Sequence, residues 1–292
     1  MHSFNEYKII FNNELTKKIK TEFNDEDITN MILYSLFGGK RLRPIIAIDI
    51  CLSLGKKLED VIDFAIGIEL IHNASLIIDD LPCMDNDNYR RGKLSFHKKF
   101  SLYDADFVSR IMLSTALKLI YSNFKLVEQN IFHLITRNIV DNLGIKGATG
   151  GQLLDLTPLN INSKKELINN FKNKNFVKEL LDKKTSTFFE IAFLGGFISG
   201  KGNLDNIETI KSCSRNFGLA FQLYDDFDDI EQDKLRFELG LNDPNYINNF
   251  GLEETRIVFK ENIELFIENM NKLKIYSITM NELINKLKTR II

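Results

Sequence analysis

The chain has no tryptophan, only four prolines and three cysteines among its 292 residues, and no excess of positive charge. Each scarcity excludes something. Cys51, Cys83 and Cys213 are far apart, odd in number and without C-x-x-C spacing, so neither a disulfide framework nor a structural zinc site is expected. They fit a reducing, cytoplasmic compartment and read as small apolar fillers. A net charge of −2 argues against nucleic acid or an anionic membrane as partner, since both call for a basic face. Any anion must therefore be bound locally. The first twenty residues lack the apolar core of a secretory signal and read as an amphipathic helix. The most apolar stretch, FFEIAFLGGFISG, is interrupted by Glu190 and is too short to span a bilayer.

With so few prolines, at Pro44, Pro82, Pro158 and Pro244, long uninterrupted helices are permitted. The segments Val61 to Ile78 and Ser212 to Gln232 are too long for strands and do not alternate with period two. About ten to twelve such segments, with no clear hairpin signal and no linker, predict an all-α, single-domain bundle over residues 1–292 around a central cavity.

Acidic residues gather at two places. Asp79, Asp80 and Asp85 stand where an apolar helix ends, the end at which the helix dipole disfavours negative charge, so a cation is expected nearby. An EF-hand is excluded because its sixth and twelfth positions would be Arg90 and Phe96 instead of Gly and Glu. Asp79 and Asp85 are six apart and would diverge on an undistorted helix; Pro82 is expected to bend the chain and bring Asp85 round. In FQLYDDFDD, Asp225 and Asp229 are four apart and share one helix face, with Gln222 and Gly218 extending that seam. Oxygen ligands alone select hard cations, and magnesium completes its shell with waters and substrate phosphates. A phosphorylated substrate follows.

Cationic side chains complement these acids. Lys40 and Arg43 follow Gly38-Gly39, and Arg90 and Arg91 follow the first acidic group. Arginine's fork suits phosphate oxygens, while the G-x-x-x-x-G-K-[ST] loop is absent. His72, seven residues before Asp79, lies two turns back on the same face and is balanced between a core and a site role. Lys184 and Thr185, opening an apolar run, read alone as surface residues.

Taken in order, GGKRLRP, DDLPCMD followed by RRG, GGQLLDL, KKTS and FQLYDDFDD resemble the trans-isoprenyl diphosphate synthases from Gly38 to Asp229. The branch most resembled makes farnesyl or geranylgeranyl diphosphate and carries two extra residues, here Pro82 and Cys83, within the first motif. The resemblance implies an all-α homodimer with two to three Mg²⁺ ions per active site, held by Asp79, Asp80 and Asp85 on one side and by Asp225, Asp226 and Asp229 on the other. It implies that Lys40, Arg43, His72 and Arg91 bind isopentenyl diphosphate. Arg90, Lys184 and Gln222 would contact the allylic diphosphate, with Thr185 and Gln222 near the developing cation. Gly150, Gly151 and Gln152 match the central G-G-Q segment, with Asp155 nearby. The implied reaction condenses isopentenyl diphosphate with an allylic diphosphate through a carbocation, without a protein nucleophile.

In the family resembled, bulk at the fifth position before the first aspartate closes the tail pocket; here that position is the small Ala74, which by this resemblance favours the geranylgeranyl product over farnesyl, with Leu70, Ile71, Met112 or Leu113 as alternative floors. Departures from the family pattern are Ser109-Arg110 for Gly-Asp, Ile78 for histidine, and a shortened segment lacking two lysines near Leu241 and Asp243, where Lys234 or Arg236 could substitute. That shortening keeps open a weakly active regulatory subunit. A terpene cyclase lacks support, since its N-D-x-x-S-x-x-x-E motif is absent.

Overall fold

The computed structural model describes residues 2–156, 173–228, 230 and 245–291, without the side chains of 154–156, 175, 176 and 184. Helices dominate. The described chain groups into two compact units, residues 1–132 with 195–202, and residues 133–194 with 203–292. No linker marks the boundaries, two of which run through helices.

The first unit is built on α1 (Phe4–Glu22), α2 (Glu26–Leu36), α3 (Leu42–Ser53), α4 (Ile62–Asp79), α5 (Phe96–Lys99) and α6 (Leu102–Phe124). Ser3 and Glu6 form a capping box at the start of α1, and Asp25 and Ser101 accept backbone hydrogens at the starts of α2 and α6. Helix α4 is buried on almost every side, from Phe64 to Ile71 and at Asn73, Ala74 and Ile77, as its nearly continuous apolar sequence requires. It packs most extensively on α6, whose inward residues Val108, Met112, Thr115, Ala116 and Leu119 recur at helical spacing. A Cβ at Gly67 would lie 2.7 Å from Ile120 Cγ1 and 3.0 Å from the Ala116 carbonyl, so glycine permits the close crossing of the two helices. Asn123 then ties the end of α6 to the start of α4, accepting from the Phe64 amide at 3.2 Å.

One local expectation fails. Tyr89–Arg90 and Lys93–Leu94 form a miniature antiparallel pair, in register Tyr89↔Leu94 and Arg90↔Lys93. Its two-residue turn places Arg91 at φ 54° and Gly92 at φ 75°. Hairpin turns with both central residues in the left-handed region match strand twist, and an arginine at the first of them gave no sequence signal.

The second unit contains most of α7 (Gln129–Leu143), α8 (Ala148–Leu156), α9 (Lys174–Leu181), a π turn (Asp182–Ser186), the greater part of α10 (Thr187–Ser199), α11 (Ile207–Asp228), α12 (Tyr246–Phe250), α13 (Leu252–Lys272) and α14 (Ile278–Ile291). Its core is aromatic. Phe189, Phe193, Phe217, Phe221 and Phe266 meet in edge-on, tilted and stacked pairs with ring centroids 5.0–6.3 Å apart. A Cβ at Gly218 would meet Ser186 Oγ at 2.5 Å and Ser186 Cα at 2.7 Å, so that glycine lets α11 lie against the π turn. Its place on the acidic seam is thus explained by packing.

Among the described residues no helix is long and apolar enough to cross a membrane.

Candidate active site

In the first unit, the acidic group sits in a tight turn after α4. Three backbone bonds close it: Met84 N–H and Asn86 N–H donate to the Leu81 carbonyl, and Asp85 N–H donates to the Asp79 carbonyl at 2.9 Å. The turn that carries Pro82 therefore returns Asp85 beside Asp79, although six positions separate them.

Asp80 has a different partner. It is 2% exposed, and its Oδ1 accepts from Arg90 Nε at 2.8 Å and from Arg90 Nη2. Burial pushes its carboxyl above the usual carboxylate range, opposed by the Arg90 hydrogen bonds. Asp80 fixes Arg90, which also reaches Asp87 at 3.2 Å.

The cations assemble around His72. Arg43 Nη1 lies 3.2 Å from His72 Nε2. Burial first, then the charges of Arg43, Arg91, Arg41 and Arg90, holds the imidazole well below its ordinary pKa. The ring is neutral at pH 7, with Nε2 accepting from Arg43. Lys40 is exposed at the mouth of the same loop. Arg41 is paired with Glu69 and Arg90 with Asp80 and Asp87, so the charge that would favour an anion beside the uncharged ring comes chiefly from Arg43 and Arg91.

Residues not singled out from sequence hold this arrangement. Arg41, at φ 63°, is buried; its Nη1 meets Glu69 Oε1 at 2.5 Å and its Nε donates to Asn12 Oδ1 at 2.9 Å. Asn73 Nδ2 donates to Glu69 Oε1 at 2.9 Å, and Arg91 Nη1 donates to Asn73 Oδ1 at 3.0 Å. A Cβ at Gly39 would lie 2.2 Å from Arg41 Nη1, which explains the second glycine of the GGK loop. The available sequence signal was Glu69 itself, a charge inside an apolar helix that needs a buried partner.

In the second unit, Thr185 Oγ1 donates to Gln222 Oε1 at 2.5 Å, and Gln222 Nε2 donates to Asp226 Oδ1 at 2.9 Å. The π turn carries Thr185 toward α11, a local irregularity that often marks functional helices. Asp226 is 5% exposed, and its Oδ2 accepts the Tyr246 amide at 2.7 Å. Asn245 Nδ2 reaches the Asp226 carbonyl at 3.0 Å. Asp226, like Asp80, is engaged by protein donors. Asp225 is half-buried on the adjoining face of α11. At the end of that helix Asp228 pairs with Arg290.

Among the described residues no three His, Cys, Asp or Glu side chains converge closely enough to hold a metal by themselves. The oxygen-only donors Asp79 and Asp85, brought together by the turn, suit magnesium, which takes few protein ligands and fills its shell from water and phosphate. The residues fit that ion.

A family model described as Polyprenyl synthetase matches residues 25–243. The chain belongs to the polyprenyl synthetase family. It is 32% identical over 209 residues to farnesyl diphosphate synthase of Bacillus subtilis, covering 70% of this chain and 67% of that one. It is also 32% identical over 238 residues to geranylgeranyl diphosphate synthase of Cyanophora paradoxa, covering 80% and 76%. The crystal structure of a geranyltransferase from Legionella pneumophila shares the fold at a TM-score of 0.77 and 22% identity, covering 99% of each chain. The protein is a prenyltransferase of isoprenoid biosynthesis.

For this polyprenyl synthetase, other expected positions fall as follows. Gly150, Gly151 and Gln152 lie in α8, and a Cβ at Gly150 would collide with the Ile145 carbonyl at 1.8 Å. Ala74 and Leu70 are buried in α4, and Met112 is buried in α6. Ser109 is buried with its hydroxyl on the Asp106 carbonyl, and Arg110 pairs with Asp106, so the replacement of Gly-Asp is absorbed within α6. Asp229, the side chains of Lys184 and Asp155, and Lys234, Arg236, Leu241 and Asp243 lie outside the described residues.

Proposed function

We propose that the protein joins isopentenyl diphosphate to an allylic diphosphate and releases geranylgeranyl diphosphate. One observation carries the reading: in the same unit as the Asp79–Asp85 turn, Arg43 and Arg91 stand near neutral His72, with Arg90 linking the two groups through Asp80. Two kinds of diphosphate grip lie within one unit, one made of carboxylate oxygens and one of guanidinium groups. A condensation of two diphosphates uses both.

Lys40, Arg43, His72 and Arg91 hold the isopentenyl diphosphate in this reading, without metal. All hydrogen bonds of Arg91 among the described residues run through Nη1, to Asn73 Oδ1 and the carbonyls of Phe37 and Ser35, which leaves its Nε and Nη2 edge for an anion. Asp79, Asp80 and Asp85 of the first motif, and Asp225, Asp226 and Asp229 of the second, would hold magnesium. Magnesium when bound supplies the positive charge that stabilises a departing diphosphate. Asp80 and Asp226 orient their neighbours through Arg90 and through Gln222 and the Tyr246 amide. Arg90 and Lys184 contact the allylic diphosphate. Thr185 and Gln222 present fixed dipoles to the carbocation, since the Thr185 hydrogen bond and the Asp226 carboxylate set the orientation of the Gln222 amide.

The small Ala74 supports the twenty-carbon product, with farnesyl diphosphate the alternative. Retention of all six aspartates disfavours the regulatory-subunit reading. A homodimer is supported by α6, whose outer face shows Tyr103, Phe107, Leu117 and Tyr121 at helical spacing, each 46–68% exposed. Light scattering should report twice the chain mass, reduced to the monomer by Phe107→Glu. The function itself is tested by chromatography of dephosphorylated products after incubation with Mg²⁺, isopentenyl diphosphate and starters of five, ten or fifteen carbons. A twenty-carbon alcohol is expected; no elongation from any starter would refute the activity.

A further inference from the structure

We infer that Asn73 is a positioning residue that sets the phosphate-facing edge of Arg91, through a buried strut running from α1 to the hairpin. This rests on the reading that Arg91 binds isopentenyl diphosphate.

The strut can be followed atom by atom. Asn12 Oδ1 accepts from Arg41 Nε at 2.9 Å, Arg41 Nη1 meets Glu69 Oε1 at 2.5 Å, and Asn73 Nδ2 donates to the same Oε1 at 2.9 Å and to the Glu69 carbonyl at 2.7 Å. These contacts fix the Asn73 amide: its nitrogen must face the carboxylate, so its oxygen must face away. That oxygen receives Arg91 Nη1 at 3.0 Å, shorter than the 3.3 and 3.5 Å contacts with the Phe37 and Ser35 carbonyls. Asn73 is 1% exposed and Glu69 2% exposed, so water cannot replace either group cheaply.

Arg91 needs such a holder. Its backbone sits at φ 54°, and burial, with the charges of Arg41 and Arg90, lowers its guanidinium pKa while Glu69 acts in the opposite sense. Left to itself, a guanidinium among like charges would swing toward water. Asn73 pins one nitrogen without neutralising the charge, whereas a carboxylate at this position would compete with the incoming phosphate. A neutral acceptor is the side-chain chemistry that orients a cation and keeps it available.

Steady-state kinetics of the full chain test this with Asn73→Ala, the milder Asn73→Thr, Arg91→Ala and the double variant Asn73→Ala/Arg91→Ala, each checked by thermal unfolding. Asn73→Ala should raise KM for isopentenyl diphosphate about tenfold, with allylic KM and kcat within about twofold. Asn73→Thr should fall between it and the wild type. The double variant should match Arg91→Ala, because a residue acting only through Arg91 has nothing further to lose. Equal losses for both substrates, an added loss in the double variant, or unfolding of both Asn73 variants would make Asn73 a core residue and overturn the proposal. An unchanged isopentenyl KM in Asn73→Ala beside a raised one in Arg91→Ala would overturn it alone. An unchanged isopentenyl KM in Arg91→Ala would overturn the reading of Arg91 as well.

Discussion

The two aspartate motifs solve one problem with different materials. In each, the second aspartate is buried and held by protein donors, while the first stands half-buried on a helix. Asp80 is held by the charged guanidinium of Arg90, brought by the hairpin that follows the motif. Asp226 accepts from two neutral donors, Gln222 one turn earlier on its own helix and the Tyr246 amide. The first motif bends through a tight turn that returns Asp85 to Asp79; the second carries Asp225 and Asp226 on the straight run of α11. Charge clamping links the first motif to the cation cluster, because Arg90 belongs to both.

The largest effect expected from breaking this comparison is on turnover. Asp79→Ala and Asp225→Ala should each lower kcat about 10²–10³-fold, roughly 3–4 kcal/mol of transition-state stabilisation, in initial-rate assays. Near-full turnover in either would show that the motifs are not equivalent. Next comes the charged clamp. Arg90→Ala leaves the Asp80 carboxylate buried without its main partner and should cost about 1–3 kcal/mol in urea unfolding, less than a fully enclosed pair because the Arg90 side chain is 35% exposed. Asp226→Asn would turn an NH₂ group toward either the Tyr246 amide or Gln222 Nε2, and should cost about 1–2 kcal/mol. Equal dependence of both losses on salt would erase the distinction between charged and neutral clamps, since only the first should weaken as salt rises.

A smaller effect concerns pH. The His72 pKa is depressed by burial and by Arg43, Arg91, Arg41 and Arg90. Above the ordinary histidine value both folded and unfolded states carry a neutral ring, and its contribution does not vary with pH. Below about pH 6.5 the unfolded chain takes up a proton that the folded one refuses, so stability should fall by up to about 1.4 kcal/mol per pH unit. His72→Gln should remove that part of the acid slope in denaturant titrations between pH 6.5 and 5. His97, lowered in the same direction, keeps its own share.

Sequence periodicity located the helices that carry the site, since Val61 to Ile78 and Ser212 to Gln232 overlap α4 and α11 closely. The bend at Pro82 was also legible, because a proline between acids six apart leaves few ways to continue. What stayed hidden depends on partners distant in sequence. That Asp80 turns to Arg90 is set by a hairpin whose turn residue, Arg91, lies in a left-handed conformation that arginine does not advertise. Glu69 signalled a buried charge but not its company, because Arg41 and Asn73 read as ordinary loop and helix residues. The π turn at Thr185 lies where Ser186 packs closely against Gly218, a contact that local propensity does not encode.

Calorimetric titration with inorganic diphosphate, with and without Mg²⁺, on the wild type, Asp79→Ala and Arg43→Ala, separates the carboxylate grip from the guanidinium grip. Two binding events are expected: one requiring Mg²⁺ and lost in Asp79→Ala, the other persisting without metal and lost in Arg43→Ala. A single event, indifferent to Mg²⁺ and to Asp79→Ala, would contradict the presence of two distinct diphosphate sites.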